Sequence, residues 1–523
     1  MWRWVVPVGA GVLVAWRPFE VDPLSGVVVA GLLTLAVVVG NGVVPRLAEG
    51  SPAGPILSAL WIAVGIAVGW NRAQGVATLA LAATVLLVIL VVARTGPPER
   101  GTVVLALGIS LLTLWAVWQV ALGFRLDLQE LGRTALPTPW AVRHRLEIGR
   151  AFASQLHPGH LAVLLAMMVP LGIGAIRDGH RRLGAMVLLL AGTGVLLTRS
   201  PLGVVLALGA SLVALPKLSG RWCLAVTVVF AVLLGAVVVG RTDLSRWEPF
   251  VHRWQNWANA VWVWTQSPVT GAGLGGFGTA ALAVPFPVGN HPQHAHSLPL
   301  EWLAEMGVPG LLFAGYLFWW IVSLARRVRA TFPGLAGAIL VVPLHNLVDF
   351  SFFASGVVVP WAVLVGWSLA LTRGEDERPF STGLRRVPIV VALTVTVFFF
   401  WAGSGTSAAL EAWVPRAGEG PEHVVDRMVV ARRLAPWRLA PTVVILDLAA
   451  EQPGLRATGL AEYRRARWWW PRSPGLAIRG AQLLALQGRG PESWRESWWA
   501  HVAGPGGEDR GQPAGPHVVE GPR

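Results

Sequence analysis

Apolar runs recur from residue 3 to residue 405, broken by short polar interruptions. A helix needs about 20 mostly apolar residues to cross a hydrocarbon layer about 30 Å thick. By that measure the pattern predicts membrane-spanning helices over 3–16, 24–45, 53–70, 73–93, 101–121, 159–176, 183–198, 201–216, 222–240, 298–324, 333–350, 356–372 and 387–405. The expected fold is therefore all-α and polytopic, with about 12–13 transmembrane helices. The first run is short and also fits a signal segment, whose removal would leave the side of every later loop unchanged.

Basic residues fill alternate loops. Arg94 with Arg100, Arg177 with Arg181 and Arg182, Lys217 with Arg221, Arg326 with Arg327 and Arg329, and Arg373 with Arg378, Arg385 and Arg386 share one parity. The positive-inside rule makes those loops cytoplasmic. Loops of the other parity carry one basic residue each, near Arg17, Arg72 and Arg199, or none around Ser351, and face outward. Two longer outward intervals, 122–158 and 241–297, concentrate arginine against this trend, and anion binding accounts for them.

After residue 405 the apolar runs stop and Arg, Pro, Gly and Glu take over. Ala431–Pro436 and Ala466–Pro471 lie 35 positions apart, and each ends a helix-like pattern. That interval is close to the period of about 34 in tetratricopeptide repeats, although an amphipathic tail on the membrane surface fits the same residues. The organisation reads as N-terminal helices over 1–150, a core over 151–372 that includes the extracytoplasmic loop 241–297, a cytoplasmic loop and last span over 373–405, an extracytoplasmic helical tail over 406–503, and a disordered end over 504–523.

With 54% hydrophobic and 13% charged residues and a mean hydropathy of +0.57, a soluble globule is excluded. The formal charge of +14 would raise nucleic acid as a partner, but the arginines punctuate apolar segments. The charge reads as topology and contact with membrane lipids, with no nucleic acid bound. The single cysteine, Cys223, supplies neither a disulfide nor a thiolate metal site. Among the 28 tryptophans, those near segment ends suit interfacial anchoring.

Candidate chemistry centres on one polar interval, 241–310, with further candidates at Arg199, His345 and Asp349. Gly271, Gly273 and Gly276 satisfy G-x-G-x-x-G, yet they follow a tryptophan-rich stretch rather than a buried strand, so a tight turn replaces the dinucleotide reading. His291, His294 and His296 are of a type that binds zinc, but no cysteine helps and Glu301 and Glu305 fall on the next helix. One histidine suffices as a general base for a hydroxyl. Arg199, Arg246 and Arg253 follow apolar runs on the outward side, where guanidinium groups hold phosphate bidentately, or snorkel at a helix end, as Arg253 in particular would. His345 and Asp349 lie four apart on one helix face near the outer end of their span, and ionisable groups in a span default to function.

Pro268–Phe277 (P-x-x-G-x-G-x-G-x-F), His294-Ala295-His296-Ser297, Glu301–Gly310, Thr198-Arg199-Ser200 and Arg246 together resemble the O-antigen ligase and O-antigen polymerase superfamily, over roughly residues 150–355. Ser297 departs from the asparagine usual after the histidine. The resemblance implies an enzyme that transfers a glycan from undecaprenyl diphosphate to an acceptor hydroxyl, at the outer face of the cytoplasmic membrane, without metal or other cofactor. It assigns Arg199 and Arg246 to the diphosphate and His296 to the acceptor as base or orienting group, with His345, Asp349, His294 and Arg253 as supporting candidates. The acceptor is a glycolipid, a glycan or a protein. The positions of the S-R element and of H-x-H-x-x-x-L resemble ligase-like members more than polymerases. A polysaccharide flippase is the non-enzymatic alternative, but it would be expected to place charges midway along its helices, and most spans here lack them.

Overall fold

A computed structural model describes residues 2–16, 69, 71–95, 101–133, 146–155, 157–215, 248–284, 292–372, 420–434 and 439–502. The spans predicted over 24–45, 222–240 and 387–405, all but one residue of 53–70, and the 504–523 end lie outside them. Among the described residues there are helices and no strands, in agreement with an all-α membrane protein. Four helices among the described residues are long and apolar enough to cross a membrane: Arg72–Ala93, Gly101–Gln129, Pro158–Arg177 and Leu298–Val328. The chain divides into two compact units, one of residues 1–49, 81–248 and 315–399, the other of 50–80, 249–314 and 400–523.

The first unit is built around Pro158–Arg177. Leu161 through Met168 are wholly buried on every side, as expected of a helix apolar all round that is enclosed by neighbours. Its partners include Gly101–Ser110, Arg181–Leu197, Pro201–Ala214, Pro333–His345 and Ser355–Leu371. Small residues set the approach: a Cβ on Gly184 would meet the Gly172 carbonyl at 2.6 Å, and one on Gly174 would meet the Gly334 Cα at 3.3 Å. Without a strong hydrophobic drive between helices in lipid, such close backbone contact is what holds them. Trp361 and Trp367 are wholly buried, and the Trp361 indole donates to the Ile339 carbonyl at 2.9 Å.

Three predicted spans change shape. The run at 333–350 forms a helix only as far as His345, and the 201–216 run forms the 14-residue Pro201–Ala214. The 298–324 run lengthens to Leu298–Val328 but breaks at Gly307, which sits at φ 67° and ψ −160°. Inside the predicted loop 241–297, residues Glu248–Gln266 form a 19-residue helix.

In the second unit the tail is folded on its own core rather than spread as an amphipathic strip. Pro421–Leu434 and Leu439–Glu451 are followed by Arg456–Trp469 and Pro474–Leu486, each beginning and ending 35 positions after its counterpart. A further helix, Gly490–Val502, completes the series. Tyr463 packs face-on where Gly480 has no side chain, and buried Glu462 is ion-paired with Arg432 and Arg465. In the same unit, Arg72 donates to the Trp468 carbonyl at 2.9 Å with its guanidinium 5.2 Å from the Trp468 ring, and Ala73 joins the tail's apolar core.

Candidate active site

The second unit organises its site around the break at Gly307. Pro309 has no N–H, so Glu305 loses its i+4 donor, and the break turns the Val308 N–H away from Ala304. The glycine turn supplies the replacements: Ala272 N–H donates to Ala304 O and Gly273 N–H to Glu305 O, both at 2.8 Å, while Val308 N–H donates to Pro268 O at 3.1 Å. Each of these three freed groups thus has a partner. The approach tolerates no side chain, since a Cβ on Gly271 would lie 2.3 Å from the Glu305 carbonyl carbon, and one on Gly307 2.3 Å from the Val269 oxygen. Glu305 is buried, and its Oε1 accepts from the Phe277 N–H at 3.2 Å. The G-x-G-x-x-G segment is therefore a tight turn clasping a broken helix.

The histidine loop enters the same helix. Ser297 O accepts from Glu301 N–H at 2.8 Å and starts the first turn. Glu301 is buried and reaches back: Oε2 accepts from the Ala295 N–H at 3.0 Å, and Oε1 lies 2.7 Å from His294 Nδ1. His296 is held by its backbone, with the Trp257 indole donating to its carbonyl at 3.2 Å, and it adopts φ 54°. Arg253 lies on Glu248–Gln266 in the same unit, half-buried. Also on that helix, Asn256 and Asn259 are buried, and their Oδ1 and Nδ2 respectively have no hydrogen-bond partner among the described residues.

In the first unit, Arg199 stands in the link between Arg181–Leu197 and Pro201–Ala214. Thr198 closes the first helix, Ser200 Oγ caps the second by accepting from the Gly203 N–H at 3.3 Å, and the reversal leaves Arg199 at φ 49° with an exposed side chain. Facing it is the segment 146–155: Arg199 donates to Ile148 O and Arg150 to Thr198 O, each at 3.0 Å. That segment is anchored by buried Gln119, on a π turn over Gln119–Gly123, which accepts from the Ala153 N–H at 2.7 Å. Arg150 and Arg199 thereby share one ledge.

His345 and Asp349 do meet in the first unit, at 3.6 Å, but not on one helix face, because Asp349 lies past the helix end. The turn is set by Asn346, whose amide donates to Val342 O and Ser351 Oγ and accepts from the Phe352 N–H; Ser351 Oγ also lies 2.9 Å from His345 Nδ1. His157 and His160 flank Phe350, with ring centres 6.3 and 5.0 Å from it. Sequence reasoning did not single out this pair, although H-P-G-H at a helix start was a readable signal.

Of the predicted site residues, His294 and His296 fall in one loop, His345 meets Asp349, and Arg199 meets Arg150. Arg246 and His291 lie outside the described residues. The residues missed are Glu301 and Glu305, set aside once zinc was set aside. Their spacing of four just before Gly-Val-Pro-Gly puts both on one helix face, and that was the signal available.

No curated protein matches the chain. Residues 184–315 match the family model described as O-antigen ligase, a stretch that contains Arg199, the glycine turn, the histidine loop and the helix break at Gly307. The match makes that segment similar to the O-antigen ligase family, in keeping with a membrane enzyme of the ligase and polymerase superfamily.

Proposed function

We propose that the protein transfers a glycan from undecaprenyl diphosphate to an acceptor hydroxyl, as an O-antigen ligase, at the outer face of the cytoplasmic membrane. The bond between the anomeric carbon and the diphosphate oxygen breaks, its electron pair leaves with the lipid diphosphate, and the acceptor oxygen bonds the anomeric carbon. Arg199 and Arg246 hold the diphosphate, whose negative charge grows in the transition state. His296 acts at the acceptor as base or orienting group, and no metal takes part. His345, Asp349, His294 and Arg253 support these groups.

The observation that carries this reading is the family match across Arg199 and the histidine loop. Backbone strain supports it: among the described residues only Ala153, Arg199 and His296 are non-glycine residues at positive φ, and two of these are the residues assigned to donor and acceptor. Strain of this kind clusters at functional sites.

The test uses purified protein in detergent with a lipid-diphosphate-linked oligosaccharide and candidate acceptors: a glycolipid, a second lipid-linked glycan and a protein. Transfer that persists with a chelator is the expected result. Movement of the donor across liposomes without transfer would instead establish a flippase. In a strain lacking the gene, long chains stranded on the carrier are expected of a ligase, and single repeat units on the normal acceptor would identify a polymerase.

A further inference from the structure

We infer that His294 and Glu301 form a dyad in which the buried carboxylate fixes the imidazole tautomer, so that His294 is the proton acceptor for the attacking hydroxyl and His296 orients the acceptor. This rests on the glycosyltransferase reading and deepens it.

The inference comes from counting donors around one carboxylate. An ionised carboxylate only accepts hydrogen bonds. Glu301 Oε2 takes the Ala295 N–H at 3.0 Å, and Oε1 faces His294 Nδ1 at 2.7 Å, so the proton of that contact belongs to Nδ1. In a neutral imidazole the lone pair then sits on Nε2, the nitrogen able to take a proton. The Glu301 side chain is 2% accessible and that of His294 is 20%, so the orienting group is enclosed while the imidazole is partly accessible. The backbone fixes the carboxylate from both ends, since Glu301 N–H bonds Ser297 O on entering the helix. A buried acid that holds Nδ1–H and stabilises the imidazolium is the arrangement general-base histidines use.

In the reaction, the acceptor hydroxyl gives its proton to His294 Nε2 as its oxygen bonds the anomeric carbon. The imidazolium is balanced by the Glu301 carboxylate and later returns the proton to water. Glu301 does not touch the substrate and is a positioning residue.

Glu301→Gln makes a sharp test because the Ala295 N–H dictates how the amide lies. The amide oxygen must face that N–H, so its NH₂ faces Nδ1, which must become an acceptor, and the imidazole proton moves to Nε2. The shape is kept and the base is lost. Nitrogen-15 NMR of histidine-labelled, full-length protein at mildly alkaline pH is expected to place the His294 proton on Nδ1 in the wild type and on Nε2 in Glu301→Gln. Turnover of Glu301→Gln is expected to fall about 10²–10⁴-fold with the KM for the lipid-linked donor little changed. Added imidazole should restore part of the turnover of His294→Gly and none of that of His296→Gly.

A wild-type proton on Nε2, a Glu301→Gln enzyme as fast as wild type, or imidazole rescue of His296→Gly in place of His294→Gly would each overturn the dyad. The wild-type NMR measurement needs no variant to fold. If the wild-type protein transfers nothing from the donor, the glycosyltransferase reading fails, and the role given to the proton fails with it. If the wild type transfers glycan but Glu301→Gln does so equally well, only the dyad fails.

Discussion

Arg199 holds a backbone conformation that costs an L residue about 1–2 kcal/mol, and it does so on the short link Thr198–Ser200, where a glycine would be at ease. On the proposed reading, the Arg199 side chain is the reason for this residue at a strained position. Arg199→Gly should therefore be more stable than Arg199→Ala by about 1–2 kcal/mol in thermal unfolding. Both should lose about 2–4 kcal/mol of transition-state stabilisation, measured as turnover over KM. Arg199→Lys should recover only part, because a point charge does not reproduce a planar, two-pronged contact. If Arg199→Gly proves both more stable than wild type and as active, the guanidinium is an interfacial anchor. The identities of Arg199 and His296 were legible in the sequence because charge and histidine stand out against apolar runs. Their strained backbones were not legible, since φ is set by how the two flanking elements meet.

Leu298–Val328 breaks at Gly307. Pro309 and Gly307 were readable as helix-weakening residues, yet the run looked continuous because its apolar residues continue on both sides. What the break is for depends on Pro268–Gly273, some 35 residues earlier in the chain, and no local pattern reports that pairing. Gly307→Ala would force a Cβ to 2.3 Å from the Val269 oxygen at φ 67°, and should cost about 2–5 kcal/mol. The expected readout is proteolysis near Thr270 and loss of turnover together, and a variant as protease-resistant and active as wild type would show the contact to be dispensable. In the tail, the 35-residue offset was visible from two matching helix ends, whereas the seating of Tyr463 against Gly480 was not. Burial pushes the Tyr463 hydroxyl far above its ordinary value, with nearby Arg467 opposing. The folded tail therefore keeps a proton that the unfolded chain releases above about pH 10. Stability from this group is complete below that pH and falls as pH rises beyond it. Hydrogen exchange over 456–486 should accelerate above about pH 10, and Tyr463→Phe should blunt the acceleration. Exchange rising equally in both proteins would remove Tyr463 as the cause.

For the whole molecule, the positive-inside pattern and the packing bear separately on which side of the membrane each part occupies. Alternating arginine loops lead to the expectation that both the loop 241–297 and the tail lie outside. The second unit adds an independent constraint. Residues 71–80, 249–314 and 420–502 belong to one compact body, tied by Arg72 to Trp468 and by the Asn71 amide to the Thr279 hydroxyl at 3.4 Å. Backbone held by such contacts cannot be shared across a bilayer, so the glycine turn and the tail lie on the same side, whichever side that is. Gln266→Cys and Glu451→Cys, both at exposed positions and made in a Cys223→Ser background, separate the two arguments. Both should react with an impermeant thiol reagent in intact cells, and at similar rates. Labelling of both only after lysis would reverse the orientation while leaving the unit intact. Labelling of one before lysis and the other only after it would break the unit itself, and the contact between Arg72 and Trp468 would then not exist in the membrane.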